Sequence, residues 1–285
     1  MPTIRHILFP HDFSAAGTAA IPYVRSLANR LHAQVTLLSV VPPAWVSPPG
    51  IVGPPAVPDP VDVQGSLERL LEKTTLEGLE KPPGRITALG DPAEKIAEFT
   101  RDNAVDLVMM PTHGHGLFRR LLIGSVTSKV LHDVNCPVWT AAHAETQHSH
   151  DSPRKILCTL DASEKSVATA RWAADFARQL GASLQFLHVV QPISDWLALE
   201  SEQALQEQLR EQSRNRMEGI LKEGDVNSPL RIAMGEIVAT ITEQAHEEGA
   251  DLVILGRGAI HEPLGGLRTH AHAIIQRSPC PVLSV

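Results

Sequence analysis

The feature that most constrains how this chain can fold is an internal repeat that covers nearly all of its 285 residues. When the sequence is shifted by 149 residues, Ile7-Leu8 aligns with Ile156-Leu157, and the match continues without a gap into the next apolar segment. The shift falls to 144 residues later on, where Cys136-Pro137-Val138 aligns with Cys280-Pro281-Val282. The falling shift indicates short deletions in the loops of the second copy. A period of this length indicates a duplicated domain, because the repeats of solenoids are much shorter.

The repeat divides the chain into two domains and a linker. We predict domains over residues 1–142 and 154–285, with the linker over residues 143–153. The linker is polar and has no apolar period, which is typical of a solvated connection. It contains three histidines, but no set of Cys or carboxylate ligands stands around them at fixed spacing, so no metal site is predicted there.

Within each copy, short apolar segments alternate with longer amphipathic ones. In the first copy the predicted strands are Ile7–Pro10, Val35–Val41, Arg85–Leu89, Asp106–Met110 and Pro137–Ala141. The predicted helices run from a cap at Ser14 to about Leu31, over Ser66–Leu79, from a cap at Asp91, and from Ser125 onwards. Alternation of this kind predicts a parallel sheet covered by helices on both faces, that is, an α/β fold with two doubly wound domains.

Composition excludes several other classes of protein. The net charge of −7 and the pI near 6.0 do not favour nucleic-acid binding. No apolar run reaches the length of a membrane span, and the first residues lack the features of a signal peptide. The three cysteines form no disulfide framework, and the repeat-equivalent Cys136 and Cys280 are interpreted as buried structural thiols in preference to a redox pair. Together these features predict a cytoplasmic protein.

A candidate ligand site follows the fourth predicted strand, because ligands of open parallel sheets bind beyond the carboxyl ends of the strands. Gly114 lies in the loop after that strand, and Gly124-Ser125-Val126-Thr127 follows after nine intervening residues, at the start of a helix. Glycine lets a ligand approach the backbone closely, and the N–H groups at a helix start bind phosphate. The alternative, that both glycines only make turns, stays open at this point.

Two polar residues near this loop have more than one interpretation. Asp12 follows the first strand, where it would accept a hydrogen bond from a ribose hydroxyl or an adenine amino group, or cap the helix that begins near Ser14. His113 would act as a general base or as a positioning group. We favour positioning, because no nucleophile or second carboxylate accompanies it, and we predict no catalytic residue.

Four motifs resemble those of the universal stress protein family, and the resemblance covers both halves of the chain. They are the opening Ile7-Leu8-Phe9-Pro10-His11-Asp12-Phe13-Ser14, then Gly90-Asp91-Pro92-Ala93, Asp106-Leu107-Val108-Met109 and Cys136-Pro137-Val138. ATP-binding members of that family carry Gly-x-x-Gly, nine residues, and then Gly-Ser or Gly-Thr. The corresponding segments here are Pro111-Thr112-His113-Gly114, nine residues, and Gly124-Ser125.

The resemblance implies a flavodoxin-like fold with a five-stranded sheet in each domain, and ATP, with or without Mg²⁺, as the ligand of the first. It implies that Asp12 and the backbone of Val41 hold the adenosine, with Met110 also among the cofactor-binding residues. The phosphates would be held by His113, Gly114, Gly124, Ser125, Val126 and Thr127.

The sequence departs from the family pattern in both copies. In the first, Pro111 replaces the first Gly and removes a backbone N–H, which weakens ATP binding or changes the ligand if that N–H is used. In the second, Gly256 and Gly258 lie one residue closer together than the pattern requires, and Arg268 replaces the Gly that precedes Thr269. We therefore expect the second domain to bind no ATP, whereas the retained Asp161 and Thr269 leave a weaker or different nucleotide as the alternative.

These observations predict a tandem universal stress protein that binds ATP in its first domain and acts as a stress-response switch or adaptor. Its expected partners are an adenine nucleotide and an unidentified protein, with neither nucleic acid nor membrane, and its two domains are expected to pair as an intramolecular pseudo-dimer. Any ATP hydrolysis is expected to be slow. One alternative is a structural or chaperone-like stress scaffold that binds no nucleotide, which Pro111 favours. Another is a phosphotransfer enzyme, which would require an acidic, metal-binding residue beside the loop.

Overall fold

The computed structural model describes residues 3–42, 60–112, 123–141, 152–163, 165–192, 199–256 and 266–285. For residues 60–62, 199–203 and 266–269 it describes only the backbone. The chain forms two compact units, Thr3–Ser152 and Pro153–Val285. Residues 143–151 of the predicted linker lie outside the described residues.

The first unit is a five-stranded parallel sheet with helices between successive strands. Its elements are β1 (His6–Pro10), α1 (Ala15–Leu31), β2 (Gln34–Val41), α2 (Pro60–Lys73), β3 (Gly84–Leu89), α3 (Pro92–Asp102), β4 (Leu107–Pro111), α4 (Ser125–Asp133) and β5 (Val138–Ala141). The strand order is β3-β2-β1-β4-β5, with every neighbouring pair parallel. The connections therefore reverse direction between β1 and β4, which makes that point the topological switch point of the sheet.

The second unit repeats this architecture. Its elements are β6 (Lys155–Thr159), α5 (Ser166–Leu180), β7 (Ser183–Val190), α6 (Leu199–Glu223), β8 (Leu230–Met234), α7 (Ile237–Glu247), β9 (Leu252–Leu255), α8 (Gly266–Arg277) and β10 (Val282–Ser284). The strand order is β8-β7-β6-β9-β10, again parallel throughout. The prediction of two doubly wound α/β domains is confirmed. Among the described residues, no helix combines the length and the apolar character that a membrane span needs.

The central strands are apolar in their interiors because helices cover both faces of the sheet. In β1 the side chains of Ile7, Leu8 and Phe9 are fully buried, and Leu107 and Val108 of the neighbouring β4 are buried with them. This packing fixes the carboxyl ends of β1 and β4 next to each other, and the loops that follow both strands therefore start from a rigid base.

Local capping signals predict the starts of α1 and α3 correctly. The Ser14 side chain accepts a hydrogen bond from the N–H of Gly17, and the Asp91 carboxylate accepts two, from the N–H groups of Ala93 and Glu94. Bonds of this kind satisfy N–H groups that the first turn of a helix leaves without a partner.

The prediction for α2 was wrong at both ends, because the helix spans Pro60–Lys73 and not Ser66–Leu79. Proline suits the first turn of a helix, where its missing N–H costs nothing. Beyond Lys73 the chain turns at Gly78, whose φ of 85° is not helical. The apolar residue Leu76 is buried although it lies outside the helix, which explains why the apolar pattern continues past the helix end.

Repeat-equivalent glycines after β3 and β8 give a testable difference in stability. Gly90 and Gly235 have φ values of 142° and 154°, which other residues rarely adopt. A Cβ on Gly235 would collide with the hydroxyl of Thr240, a stiff β-branched residue on α7, whereas one on Gly90 would lie 2.9 Å from the flexible end of Lys95. We expect Gly235→Ala to lower the free energy of unfolding by more than the roughly 1–3 kcal/mol of backbone strain expected for Gly90→Ala.

Urea denaturation of both variants, with Gly235→Ala/Thr240→Ala as a third, measures the difference. The double variant should recover part of the stability that Gly235→Ala loses, because it removes the hydroxyl in question. Equal losses for the two single variants would show that backbone strain alone sets the cost.

The three cysteines differ in their surroundings, although two of them are repeat-equivalent. Cys158 and Cys280 are buried, as predicted for Cys280, whereas Cys136 is partly exposed. Burial raises the pKa of the Cys280 thiol to about 12 and that of Cys158 further still, so neither forms the reactive thiolate near neutral pH.

We expect a maleimide to label native protein at Cys136 first, as followed by mass spectrometry, and Cys136→Ser to abolish that early labelling. Labelling of Cys158 at the same rate would contradict this expectation.

Candidate functional site

The predicted ligand-binding residues that the structure describes lie near the carboxyl ends of the strands of the first domain. Asp12 follows β1, Val41 ends β2 and Met110 lies in β4, while α4 begins at Ser125. The loop after β1 and the start of α4 thus lie on either side of the switch point between β1 and β4, where ligands of doubly wound folds bind.

The loop after β1 is shaped by the Asp12 carboxylate. Its Oδ1 accepts a hydrogen bond from the N–H of Ser14 at 3.0 Å, and Ser14 in turn caps α1. Between them, Phe13 has a φ of 61°, which non-glycine residues adopt uncommonly. Asp12 therefore orders the loop without being the helix cap itself, and its half-buried side chain stands at the end of the sheet.

His11 is a residue of this loop that sequence reasoning did not single out. Its side chain is 4% exposed, and its Nδ1 accepts a hydrogen bond from the N–H of Phe13 at 3.2 Å. A nitrogen that accepts from a backbone N–H carries no proton, so the neutral ring bears its proton on Nε2. That Nε2 is buried and has no hydrogen-bond partner among the described residues. Burial lowers the pKa of His11, and the charge of Asp12 opposes this shift.

The start of α4 differs from the starts of α1 and α3 because no side chain of the described residues caps it. Its N-cap is Gly124, with a φ of −57° and a ψ of 146°. The N–H of Gly124 donates to the carbonyl of Thr112 at 2.8 Å, and the carbonyl of Gly124 accepts from the N–H of Ser128 at 2.9 Å. The loop is therefore tied to the end of β4, while the first turn of α4 keeps N–H groups and a partial positive charge for an anion.

The three residues that follow Gly124 face different surroundings. Ser125 is exposed and Val126 is partly exposed. Thr127 is buried, and its hydroxyl donates to the carbonyl of Pro111 at 3.2 Å. The Thr127 hydroxyl thus fastens α4 to β4, which leaves the backbone of this turn and the Ser125 hydroxyl as the groups that face outwards.

The remaining predicted site residues lie in the sheet or outside the described residues. The carbonyl of Val41 accepts from the N–H of Gly90 at 3.1 Å and keeps a second lone pair. Met110 is buried in β4 opposite Thr140 of β5. His113 and Gly114 fall within residues 113–122, which the structure does not describe.

The second domain has additional side-chain contacts at the equivalent position, at the end of β6. Ser166 replaces Gly17, and its hydroxyl donates to Oδ1 of Asp161 at 3.0 Å, alongside the N–H of Ser163 at the same distance. The glycine after β9, Gly256, accommodates a side chain of α5, because a Cβ there would stand 2.8 Å from the hydroxyl of Thr169. These residues line a small crevice at this end of the second sheet.

The helix start after β9 also differs from its equivalent in the first domain. Helix α8 begins at Gly266, so Arg268, which aligns with Gly124, lies inside the helix instead of before it. The backbone N–H groups that open α8 therefore occupy a different place in the sequence from those that open α4.

Comparison with known proteins identifies relatives of both domains. The profile of the universal stress protein family matches residues 3–141 and 153–285. Universal stress protein Slr1230 of Synechocystis sp. is 32% identical over 138 residues, which are 48% of this chain and 42% of that protein. A universal stress protein of Mycolicibacterium smegmatis is 26% identical over 193 residues, 66% of this chain and 65% of its own. The chain thus spans less than two thirds of the length of each of these relatives.

Solved structures share the fold over nearly the whole chain. A universal stress protein from Archaeoglobus fulgidus has a TM-score of 0.68 at 19% identity, and the superposition covers 99% of this chain and 96% of that protein's chain. Protein PA1789 from Pseudomonas aeruginosa, whose function is unknown, has a TM-score of 0.67 at 16% identity, and covers 100% of this chain and 93% of its own.

Proposed function

The chain belongs to the universal stress protein family, and on that premise we propose that its first domain binds ATP and acts as a stress-response switch or adaptor. The observation that supports the proposal most directly is the start of α4. It is preceded by a glycine, has no side-chain cap from the part of the chain that the structure describes, and lies beside the switch point of the sheet. A helix start of this kind offers N–H groups to a phosphate without any rearrangement of a side chain.

Each predicted site residue has a role in this proposal. The backbone N–H groups of Ser125, Val126 and Thr127 would hold phosphate oxygens, together with the Ser125 hydroxyl. The Asp12 carboxylate would accept a hydrogen bond from a ribose hydroxyl or from the adenine amino group. The Val41 carbonyl would use its second lone pair to accept a hydrogen bond from the same adenosine. Met110 would supply apolar surface. His113 and Gly114 stay predictions from the family resemblance.

We propose one nucleotide per chain, because the second domain differs at two places that matter. Ser166 occupies the space beside Asp161, and Arg268 stands inside α8 at the position that Gly124 holds before α4. An additional side chain at either place reduces the close approach that glycine permits.

Pro111 does not argue against a site in the first domain. It ends β4 in register with Ala141, and its carbonyl accepts from the Thr127 hydroxyl, so the residue helps to hold α4 in place. What it cannot supply is a backbone N–H, and we expect any ligand contact that the family makes through that group to be missing here.

Calorimetry with ATP, with and without Mg²⁺, and mass spectrometry of nucleotide released from the purified protein test the proposal. We expect one site per chain, and turnover far below the roughly 10 per second of a typical enzyme. The absence of binding would favour the alternative of a structural or chaperone-like scaffold, and two equivalent sites would refute the assignment to the first domain. The cytoplasmic location, the protein partner and the pairing of the two domains stay predictions from the sequence.

A further inference from the structure

We propose that His11 makes nucleotide binding by the first domain sensitive to pH, because its neutral ring holds the loop that carries Asp12 and its protonation releases that loop. The inference rests on the proposed function, since it concerns the same site. His11 acts here as a positioning residue, through Asp12 and Phe13, and does not itself contact the nucleotide.

The first step is that the His11 ring is held in one place. It packs edge to face against Phe9 and Phe13, with ring centroids 5.3 and 5.1 Å apart. Its own backbone N–H donates to the carbonyl of Leu38 in β2 at 2.9 Å. Because the ring is enclosed on these sides, its two nitrogens keep fixed surroundings.

The second step is that one of these nitrogens supports the strained residue next to Asp12. The N–H of Phe13 donates to Nδ1 while Phe13 has its left-handed φ of 61°. Protonation turns Nδ1 into a donor, so that two N–H groups face each other and the hydrogen bond is lost. The loop then lacks a contact that helps to offset the cost of its conformation.

The third step concerns the other nitrogen and the charge of Asp12. A Cβ on Gly17 would lie 3.2 Å from Oδ1 of Asp12 and 3.4 Å from Nε2 of His11, so both atoms border the same small space. Among the described residues around the ring, Asp12 is the charged group that shifts its pKa, while Phe9, Leu38 and Gly17 bring no charge. A protonated ring would therefore attract the carboxylate that we propose for the nucleotide.

The second domain shows the same loop without a histidine. Leu160 occupies the position of His11, and Ala162 adopts a φ of 63°, as Phe13 does. There Arg216 of α6 donates to the carbonyl of Ala162 at 2.6 Å and supports the loop from outside. Leucine is thus compatible with this position of the fold, and the pH response should be confined to the first domain.

The direction of the effect follows from which form of the ring binds nucleotide. Burial lowers the pKa of His11 from its ordinary value of 6.5, so the ring is neutral at and above pH 7 and the loop is in place. As the pH falls through the lowered pKa, the free protein takes up a proton that the complex excludes. The dissociation constant should then rise by up to about tenfold per pH unit.

Calorimetric titration with ATP from about pH 8 to about pH 5 tests this in the full chain, with His11→Asn as the matched control. The asparagine Oδ1 can accept from Phe13 N–H much as Nδ1 does, and it does not titrate in this range. The phosphates of ATP also titrate, but equally for both proteins. As the pH is lowered, we expect the ATP affinity of the wild type to fall more steeply than that of His11→Asn. His11→Leu, which copies the second domain, should bind weakly throughout without the extra steepness.

Equal pH slopes for wild type and His11→Asn would overturn the inference. If the wild type binds no ATP at pH 8, the proposed function fails, and NMR of the free protein still decides the question of His11. A Phe13 amide resonance that shifts together with the His11 ring, and that stays still in His11→Asn, supports the switch. A Phe13 amide that does not respond to the titration of His11 overturns it.

Discussion

Replacing Gly124 with arginine is expected to abolish ATP binding by the first domain while the domain stays folded. The φ of −57° and ψ of 146° at this position are available to any residue, so the substitution introduces no backbone strain. The hydrogen bonds of Gly124 to Thr112 and Ser128 use only backbone atoms and persist in the variant. What changes is the side chain, which enters the space where a phosphate would approach the start of α4.

We expect the affinity to fall on the order of 100-fold or more, equivalent to about 2.7 kcal/mol of binding free energy, as measured by calorimetry. Gly124→Ala, with a single methyl group, should lose much less. Gly124→Leu separates size from charge, because an arginine could also attract the phosphates. Arg268→Gly in the second domain should create no site, since that position lies within α8. Retained affinity in both Gly124→Arg and Gly124→Leu, with unchanged unfolding curves, would show that phosphate binds elsewhere.

The parts of the fold that could be predicted are those encoded by neighbouring residues. The apolar segment that becomes β1 is short and continuous because the strand is buried on both faces, and this pattern is visible without a structure. The caps at Ser14 and Asp91 are equally local, since each bonds N–H groups two or three residues ahead. The repeat then supplies the same information for the second domain.

Element ends were predicted less well where a distant contact decides them. Asp106 was placed in a strand, but β4 begins at Leu107. The Asp106 carboxylate instead accepts hydrogen bonds from the N–H groups of Arg5 and His6, about a hundred residues earlier in the chain. Asp251 does the same in the second domain. The repeat shows that these aspartates are equivalent, but only the folded sheet shows what their carboxylates bind.

The candidate site divides in the same way. The glycine before α4 and the aspartate after β1 are signals of residue type and spacing, and both lie at the expected end of the sheet. The inward-facing hydroxyl of Thr127 depends on a contact between α4 and β4, and the position of His11 depends on its backbone hydrogen bond to Leu38 of β2. Those contacts join elements that sequence spacing alone does not bring together.

The role of Asp12 is the point at which a ligand contact and a structural contact can be separated by experiment. Its Oδ1 accepts from the N–H of Ser14, so a loss of affinity in Asp12→Ala could come from the loop as well as from the ligand. Asp12→Asn keeps an oxygen for Ser14 and removes the charge. Asp161→Ala makes the equivalent change in the second domain, where Ser163 and Ser166 bond the carboxylate.

We expect Asp12→Ala to weaken ATP binding by roughly tenfold to a hundredfold, because hydrogen bonds to charged groups contribute about 1.5–3 kcal/mol. The ATP affinity of Asp12→Asn should lie between those of Asp12→Ala and the wild type, since an amide oxygen is a weaker acceptor for a ribose hydroxyl than a carboxylate is. Asp161→Ala should leave the ATP affinity unchanged, because its domain is not expected to bind nucleotide. Calorimetry on the three variants, with urea unfolding as a check on stability, measures each effect. If Asp12→Asn binds as tightly as the wild type while Asp12→Ala does not, the carboxylate serves the loop alone, and the adenosine must be held by other groups.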